Sequence, residues 1–254
     1  MRVQFHQLPS RLKGHLAAVY MVCGDEPLQL GEAAAAVRLA AAQQGFSERE
    51  LLEQHSAFDW GRLDAASREL SLFSSRKLIE LRLGGARIVR ESSDALRAYC
   101  ECPPPDNLLL ILAPELEYRE FKARWVQDVE RVGVLVQVRK LVGQRLVAWI
   151  EQRLRERGLQ PAPGVAAVLA ERVEGNLLAA SQEIEKLWLI QGDGPLGREE
   201  LTRAISDSAR FDLFDLPDAA LAGDRVRVNR ILNGLAAEGT PAPPSSVDLT
   251  PRHE

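Results

Sequence analysis

The sequence predicts an α/β fold with a parallel sheet, followed by a region that is entirely helical. Residues 17–23 and 107–113 are short, continuous apolar runs, a pattern typical of strands that are buried on both faces. A tight turn and an alanine-rich helix from residue 28 to about residue 44 follow the first run. Strand, turn and helix form the opening unit of a parallel α/β fold. From residue 142 onward, apolar residues recur at helical spacing instead.

The same patterns predict the other elements in order. Before residue 142, the predicted strands are 51–57, 77–83 and 133–138, and the predicted helices are 8–16, 59–70, 93–100 and 121–132. After it, helices are predicted to about residue 157 and over 164–173, 176–190, 198–206, 211–222 and 225–237, with a loop at 192–197. Asp59 and Asn176 are predicted helix N-caps, and Trp188 is predicted to lie in the core. The proline- and serine-rich residues 240–254 are expected to be disordered.

Composition excludes several classes of protein. The net charge is −4, so no overall positive field would attract nucleic acid, and any DNA contact needs a local basic patch. The three cysteines and four scattered histidines do not have the spacing of a zinc site or of a disulfide framework. No apolar run of about 18 residues or signal-peptide core is present. We therefore expect a cytoplasmic protein without a membrane span, metal or cofactor.

The turn after the first apolar strand is where a P-loop would bind nucleotide phosphates. A P-loop needs glycine-rich backbone and a lysine that reaches the β and γ phosphates. Here Asp25 and Glu26 would face the phosphate, and Pro27 has no N–H. No lysine occurs between Lys13 and Lys77. The turn therefore disfavours phosphate binding, and the two carboxylates are better interpreted as charges that complement the helix dipole.

Leu72 and Phe73 are adjacent large apolar residues among small polar ones, between a predicted helix and a predicted strand. Neighbouring residues point in different directions on a helix or a strand, so a single core seldom buries both. One interpretation is a helix end that tucks the pair under the next strand, and the residue types alone favour it. The other is an exposed plug for the apolar pocket of a partner.

Arg153, Arg155 and Arg157 lie on the helix that carries an apolar stripe of Leu146, Ile150 and Leu154. A solvated face is the favoured interpretation of these arginines, and a nucleic-acid patch is the alternative. No grouping of nucleophile, base and acid typical of a catalytic site occurs in the sequence. A P-loop ATPase and a stand-alone DNA-binding module remain the alternative functions.

Six stretches of the sequence form one recognisable series: residues 19–28, 71–76, 107–112, 174–179, 182–187 and 209–212. Together they resemble the delta-subunit family of the bacterial DNA polymerase III clamp loader. The similarity runs collinearly from residue 1 to about residue 239, and its order and spacing are specific.

The resemblance implies an AAA+-like, P-loop-type parallel-sheet domain without a functional P-loop at residues 1–140. It also implies a helical lid domain at 141–208, the start of a helical collar at 209–239 and the tail at 240–254. Because the family's collar continues further, the chain is expected to be C-terminally truncated or divergent. The implied partners are the beta sliding clamp, the gamma/tau clamp-loader ATPase, the delta-prime subunit and primed DNA.

The resemblance also implies a role for the Leu72–Phe73 pair, and it reverses the preference stated above. The family's clamp-binding pattern Gln-Leu-Ser-Leu-Phe corresponds here to Glu69, Leu70, Ser71, Leu72 and Phe73. Leu72 and Phe73 would be the apolar plug that binds the clamp. Glu69 departs from the pattern: it keeps a hydrogen-bond acceptor but loses the amide donor. The implied subunit binds and opens the clamp without hydrolysing ATP itself.

Overall fold

The computed structural model describes residues 1–69, 76–84, 88–114, 116, 118–206 and 228. The chain divides into two compact units. The first comprises Met1–Trp149 and Ala170–Gln182, and the second comprises Ile150–Leu169 and the residues from Glu183 onward. In the described part of the chain, no helix is both long enough and apolar enough to cross a membrane.

A six-stranded sheet, parallel at every pairing, forms the centre of the first unit. In chain order its strands are β1 (Arg2–Gln4), β2 (Val19–Cys23), β3 (Glu48–Gln54), β4 (Lys77–Leu83), β5 (Asn107–Ala113) and β6 (Gly133–Gln137). Their spatial order is β1-β6-β2-β5-β4-β3. The helices around them are α1 (Leu8–Arg11), α2 (Pro27–Gln43), α3 (Gly61–Arg68), α4 (Arg90–Glu101) and α5 (Arg124–Val132), with 3₁₀ turns at Phe5–Gln7 and Tyr118–Lys122.

Helices cover both faces of the sheet, because parallel strands need crossover connections and the central strands are apolar on both sides. One face packs against α2; its buried residues include Tyr20, Val22, Ala33, Val37, Leu108 and Leu110. The other face packs against α3, α4 and α5; its buried residues include Met21, Leu63, Leu96, Leu109, Ile111 and Trp125. The predicted parallel α/β architecture is therefore confirmed, and the ends of β4 and β5 match the predicted ends.

The outer strand β3 differs from the central strands because it is charged along half of its length. It begins at Glu48, three residues earlier than predicted, and includes Arg49, Glu50 and Glu53. Its Arg49 is one of three arginines, with Arg38 of α2 and Arg82 of β4, that bind the fully buried carboxylate of Glu80 at 2.9–3.1 Å. This carboxylate therefore ties β3 to α2 and β4 by ion pairs, in addition to the apolar packing of Leu52.

The remaining described elements are mostly helical, but they include two short strands, so the prediction of an entirely helical region is wrong. They are α6 (Gln144–Glu156), β7 (Leu159–Pro161), α7 (Val165–Val173), α8 (Leu177–Gln191), β8 (Gly194–Leu196) and α9 (Arg198–Ser206). Asn176 caps α8, accepting a hydrogen bond from the Ala179 N–H at 3.0 Å, so this cap prediction is confirmed. The predicted loop at 192–197 instead contains β8, which pairs in parallel with β7.

Two further predictions at helix ends differ from the structure. Helix α3 begins at Gly61, and Asp59 accepts a hydrogen bond from the Gly61 N–H instead of capping the helix as its N-cap. Helix α4 begins at Arg90, three residues before its predicted start. The predicted helices at 211–222 and 225–237 lie outside the described residues, except for Val228, which is helical. The tail at 240–254 also lies outside them.

Candidate functional site

The connection from β2 to α2 leaves the carboxyl edge of the sheet at its central strand, where ligands of open α/β folds bind. Gly24 has a φ of +134° there. A Cβ on this residue would lie 1.9 Å from the carbonyl oxygen of Val138. The same two segments of the backbone are also linked by a hydrogen bond from the Val138 N–H to the Cys23 carbonyl at 2.9 Å. The turn is therefore packed tightly against the end of β6, and only glycine fits at its first position.

The N-terminus of α2 is occupied by a side chain of the protein. Glu26 is the N-cap, and its carboxylate accepts the Gln29 N–H at 2.7 Å while only 4% of the residue is exposed. Burial raises the pKa of Glu26, and hydrogen bonds from the Gln29 and Leu28 N–H groups oppose this shift. Pro27 follows at the first helical position and has no N–H to donate. The prediction that Glu26 complements the start of the helix is confirmed.

At the amino edge of the same sheet lies the C-terminus of a different helix, α3. Helix α3 ends at Arg68, and its last turn leaves carbonyl groups without helical partners. The Lys77 Nζ donates to the Ala66 carbonyl at 3.1 Å, and the Asn107 Nδ2 donates to the Ser67 carbonyl at 2.7 Å. Lys77 and Asn107 are the first residues of β4 and β5 and are register partners. Both side chains are buried and lie under the point where the chain leaves α3.

The residues from which clamp binding was predicted follow that point. Glu69 ends α3 with an extended backbone, its N–H bonded to the Ala65 carbonyl at 2.9 Å, and it is exposed. Leu70, Ser71, Leu72 and Phe73 lie outside the described residues, as do the following two serines. The description resumes at Arg76, whose Nη1 donates to the Gln44 carbonyl at 2.9 Å and whose guanidinium lies 5.3 Å from the centre of the Phe46 ring.

Two of the three arginines predicted for DNA contact pair with carboxylates in the second unit. Arg155 pairs with Glu151, four residues earlier on α6, and Arg157 pairs with Glu185 of α8. The Arg157 guanidinium also lies 4.1 Å from the centre of the Trp188 ring. Arg153 is half-buried. These pairs reduce the positive charge that the α6 surface presents.

Trp188 was predicted to lie in the core, and this prediction is wrong. The residue is half-buried, with Arg157 on its ring and its Nε1 donating to Asp193 at 2.6 Å. Three other apolar residues of the same helix, Leu177, Ile184 and Leu187, are buried.

The residues that the structure describes contain no group of three or more His, Cys, Asp or Glu side chains placed to hold a metal ion. Cys23, Cys100 and Cys102 are free thiols. Burial raises the pKa of Cys23 and of Cys100 to about 12, so neither is a reactive thiolate at neutral pH.

Comparison with known proteins identifies the family. Residues 20–139 match the family described as DNA polymerase III, delta subunit. The chain is 30% identical over 240 residues to DNA polymerase III subunit delta of Escherichia coli, covering 94% of this chain and 70% of that protein. The chain belongs to the DNA polymerase III delta-subunit family. The delta subunit of Haemophilus influenzae is 28% identical over 242 residues, covering 93% of this chain and 70% of that protein.

Solved structures of two other proteins share the fold of this chain. The clamp loader delta protein of Bacillus subtilis superposes with a TM-score of 0.67 at 16% identity, covering 92% of this chain and 72% of its own. The RuvB Holliday junction branch migration motor of Thermotoga maritima superposes with a TM-score of 0.51 at 13% identity, and the match covers 92% of this chain and 80% of the RuvB chain. The predicted family and the predicted AAA+-like fold are both confirmed.

Sequence reasoning missed Lys77 and Asn107. Both residues begin strands that were predicted with the correct ends, but nothing in an alternating or apolar pattern indicates which helix a strand's first side chain will reach. The available signal was a lysine at the start of a strand that is otherwise apolar at alternate positions.

Proposed function

We propose that this delta subunit binds the beta sliding clamp and biases the ring toward its open state, and that it does not hydrolyse ATP. Leu72 and Phe73 are the plug, flanked by Glu69, Leu70 and Ser71. ATP acts through the gamma/tau ATPase, and the complex includes delta-prime and primed DNA. The domain boundaries at residues 140, 208 and 239 belong to the same proposal.

The observation that carries the proposal is the filled N-terminus of α2. In a P-loop ATPase, the N–H groups at this helix end bind phosphate. Here the Gln29 N–H is bonded to the buried Glu26 carboxylate, and a second anion would be repelled by it. A fold shared with a nucleotide-driven motor, together with a helix end that carries its own carboxylate, supports a role in binding a partner instead of hydrolysing nucleotide.

The energy for opening the clamp would come from apolar burial. Burying a Leu or Phe side chain contributes about 1.5–3 kcal/mol, so the pair contributes about 3–6 kcal/mol. A ligand shifts a conformational equilibrium only by the difference between its affinities for the two states. The plug must therefore bind the open ring more tightly than the closed one. The loss of an amide donor at Glu69 is a smaller effect, because an exposed polar contact contributes about 1 kcal/mol.

The double substitution Leu72→Ala, Phe73→Ala tests this proposal. We expect clamp affinity to fall by at least about 100-fold, since the apolar contribution to binding is lost. Titration of the purified clamp, with circular dichroism to verify the fold, measures this effect. The matched control is Leu189→Ala, Ile190→Ala, an adjacent apolar pair on α8 that is 74% and 57% exposed. Unchanged affinity in the Leu72/Phe73 variant would show that clamp binding lies elsewhere.

The two alternative functions give different results with the isolated chain. A P-loop ATPase would retain labelled ATP in equilibrium dialysis. A DNA-binding module acting through Arg153, Arg155 and Arg157 would bind duplex DNA with a steep dependence on salt. Because Arg155 and Arg157 already pair with carboxylates, we propose that these arginines contact DNA only within the assembled clamp loader.

A further inference from the structure

We propose that Lys77 and Asn107 are positioning residues for clamp binding, because they fix the helix end from which the clamp-binding residues depart. The inference rests on the proposed function of Leu72 and Phe73. It concerns residues that the structure describes: the last turn of α3, the first residues of β4 and β5, and the two ends of the segment between Glu69 and Arg76.

The last turn of α3 is held by three different donors. The Ala65 carbonyl accepts the Glu69 N–H at 2.9 Å. The Ala66 carbonyl accepts Lys77 Nζ at 3.1 Å. The Ser67 carbonyl accepts Asn107 Nδ2 at 2.7 Å. Two of the carbonyls that a helix leaves unpaired at its C-terminus are thus bound by side chains of two different strands. This fixes the direction in which the chain leaves the helix relative to the sheet.

Lysine is an unusual residue at a buried helix end, because a lysine side chain is seldom buried without a partner. The residue is 3% exposed. Its ammonium lies 3.1 Å from the Glu50 carboxylate and 3.7 Å from the Glu48 carboxylate, both on the neighbouring strand β3. A cation at the C-terminus of a helix also interacts favourably with the helix dipole. An apolar side chain would fill the same space without a desolvation cost, but it could not orient a carbonyl group.

The segment is also tied at its other end. Arg76 donates to the Gln44 carbonyl at the end of α2, and its guanidinium lies over the Phe46 ring. The residues at the two ends of the clamp-binding segment, Glu69 and Arg76, are therefore both fixed at the amino edge of the sheet. Fixing the ends before binding lowers the conformational entropy that is lost when the plug enters its pocket. The anchors should contribute to clamp affinity without touching the clamp.

The substitutions Lys77→Met and Asn107→Asp remove the two donors at nearly constant volume. We expect each to weaken clamp binding about ten-fold, and the pair more, because the helix end no longer points in one direction. Hydrogen exchange of peptides covering residues 65–76 should quicken in the same variants. Lys77→Arg keeps a cationic donor and should restore most of the affinity.

The matched control is Arg97→Met, which removes the 3.1 Å ion pair between Arg97 of α4 and Asp128 of α5. We expect it to lower stability without changing clamp affinity or hydrogen exchange at residues 65–76. Equal loss of clamp affinity in Arg97→Met and Lys77→Met would show a general effect of destabilisation and would overturn the inference. Failure of Lys77→Arg to restore affinity would also overturn it.

The failure of this inference is distinguishable from the failure of the proposed function. If Leu72→Ala, Phe73→Ala abolishes clamp binding while Lys77→Met and Asn107→Asp leave both affinity and exchange unchanged, the plug stands and the anchors are wrong. If the Leu72/Phe73 variant binds normally, the clamp site itself is wrong, and the anchors lose their role in clamp binding.

Discussion

At the two edges of the central sheet, the unpaired backbone groups of a helix end are hydrogen-bonded by different kinds of partner. At the carboxyl edge, the free N–H groups of α2 are bonded by Glu26, which belongs to the same turn. At the amino edge, about 20 Å away by strand length, the free carbonyls of α3 are bonded by Lys77 and Asn107 from the sheet. The helix end at the carboxyl edge is thus capped from within its own turn, whereas the helix end at the amino edge is bound by side chains of two strands. The unpaired backbone groups of a helix end can therefore be bound either by the adjoining turn or by other elements of the fold.

The largest expected effect comes from Gly24→Ala at the carboxyl edge. The new Cβ would overlap the Val138 carbonyl, and the φ of +134° is strained for alanine. We expect the free energy of unfolding to fall by about 3 kcal/mol or more, as measured by urea denaturation. Clamp affinity per folded molecule should stay within about two-fold of the unsubstituted value, since the other edge is unchanged. A parallel loss of affinity would show that the edges are coupled.

Gly31→Ala is the matched control for that experiment. Gly31 lies in α2, and a Cβ there would have no atom within 4 Å. Alanine favours a helix over glycine by about 1 kcal/mol. This variant should therefore be more stable than the unsubstituted chain, which would separate the local overlap at Gly24 from a general effect of adding a methyl group.

Removing the cap with Glu26→Ala should have an intermediate effect. Loss of an N-cap side chain costs about 1 kcal/mol of stability, measurable as a lower urea midpoint. If the carboxylate only closes the helix end, the variant should still not retain ATP in equilibrium dialysis, because Pro27 remains and the turn has no lysine. ATP binding by this variant would show that Glu26 alone blocks a competent nucleotide site.

The smallest effect is a change in pH dependence in Glu26→Gln. Burial raises the pKa of Glu26 above its ordinary value of 4.5, with Asp25 and Glu32 adding to the shift. As pH rises above 4.5, the folded chain keeps a proton on Glu26 that the unfolded chain has lost. The contribution of Glu26 to the free energy of unfolding therefore falls as pH rises. Glutamine cannot ionise, so the variant should gain stability relative to the unsubstituted chain as pH rises above the ordinary pKa of 4.5. Parallel urea midpoints across that range would contradict a buried, ionisable cap.

The sequence predicts the central part of the fold well, because its strands are buried on both faces. Continuous apolar runs give β2 and β5, and alternation with a following pair of glycines gives β4. The carboxylate at the start of α2 was also predictable, since two carboxylates and a proline after a strand disfavour phosphate for reasons that depend on residue type alone. For the adjacent Leu72 and Phe73 the residue types favour a tucked helix end, and the family resemblance instead predicts a role in clamp binding.

The sequence fails where pairing partners distant in the chain decide the structure. Strand β3 begins three residues before its apolar part because Glu48 and Glu50 meet Lys77, and Arg49 meets Glu80. The strands β1, β7 and β8 have three residues each, too few for a periodic signal. Trp188 lies outside the core because Arg157 and Asp193 offer it polar partners.

The charged outer strand β3 also bears on how the protein behaves in solution. A strand at the border of a sheet offers unpaired backbone groups to any other strand, which is a common route to aggregation. The charges of Glu48, Arg49, Glu50 and Glu53 would have to be dehydrated before a second molecule could add a strand there. The charges on β3 therefore protect this border of the sheet against self-association.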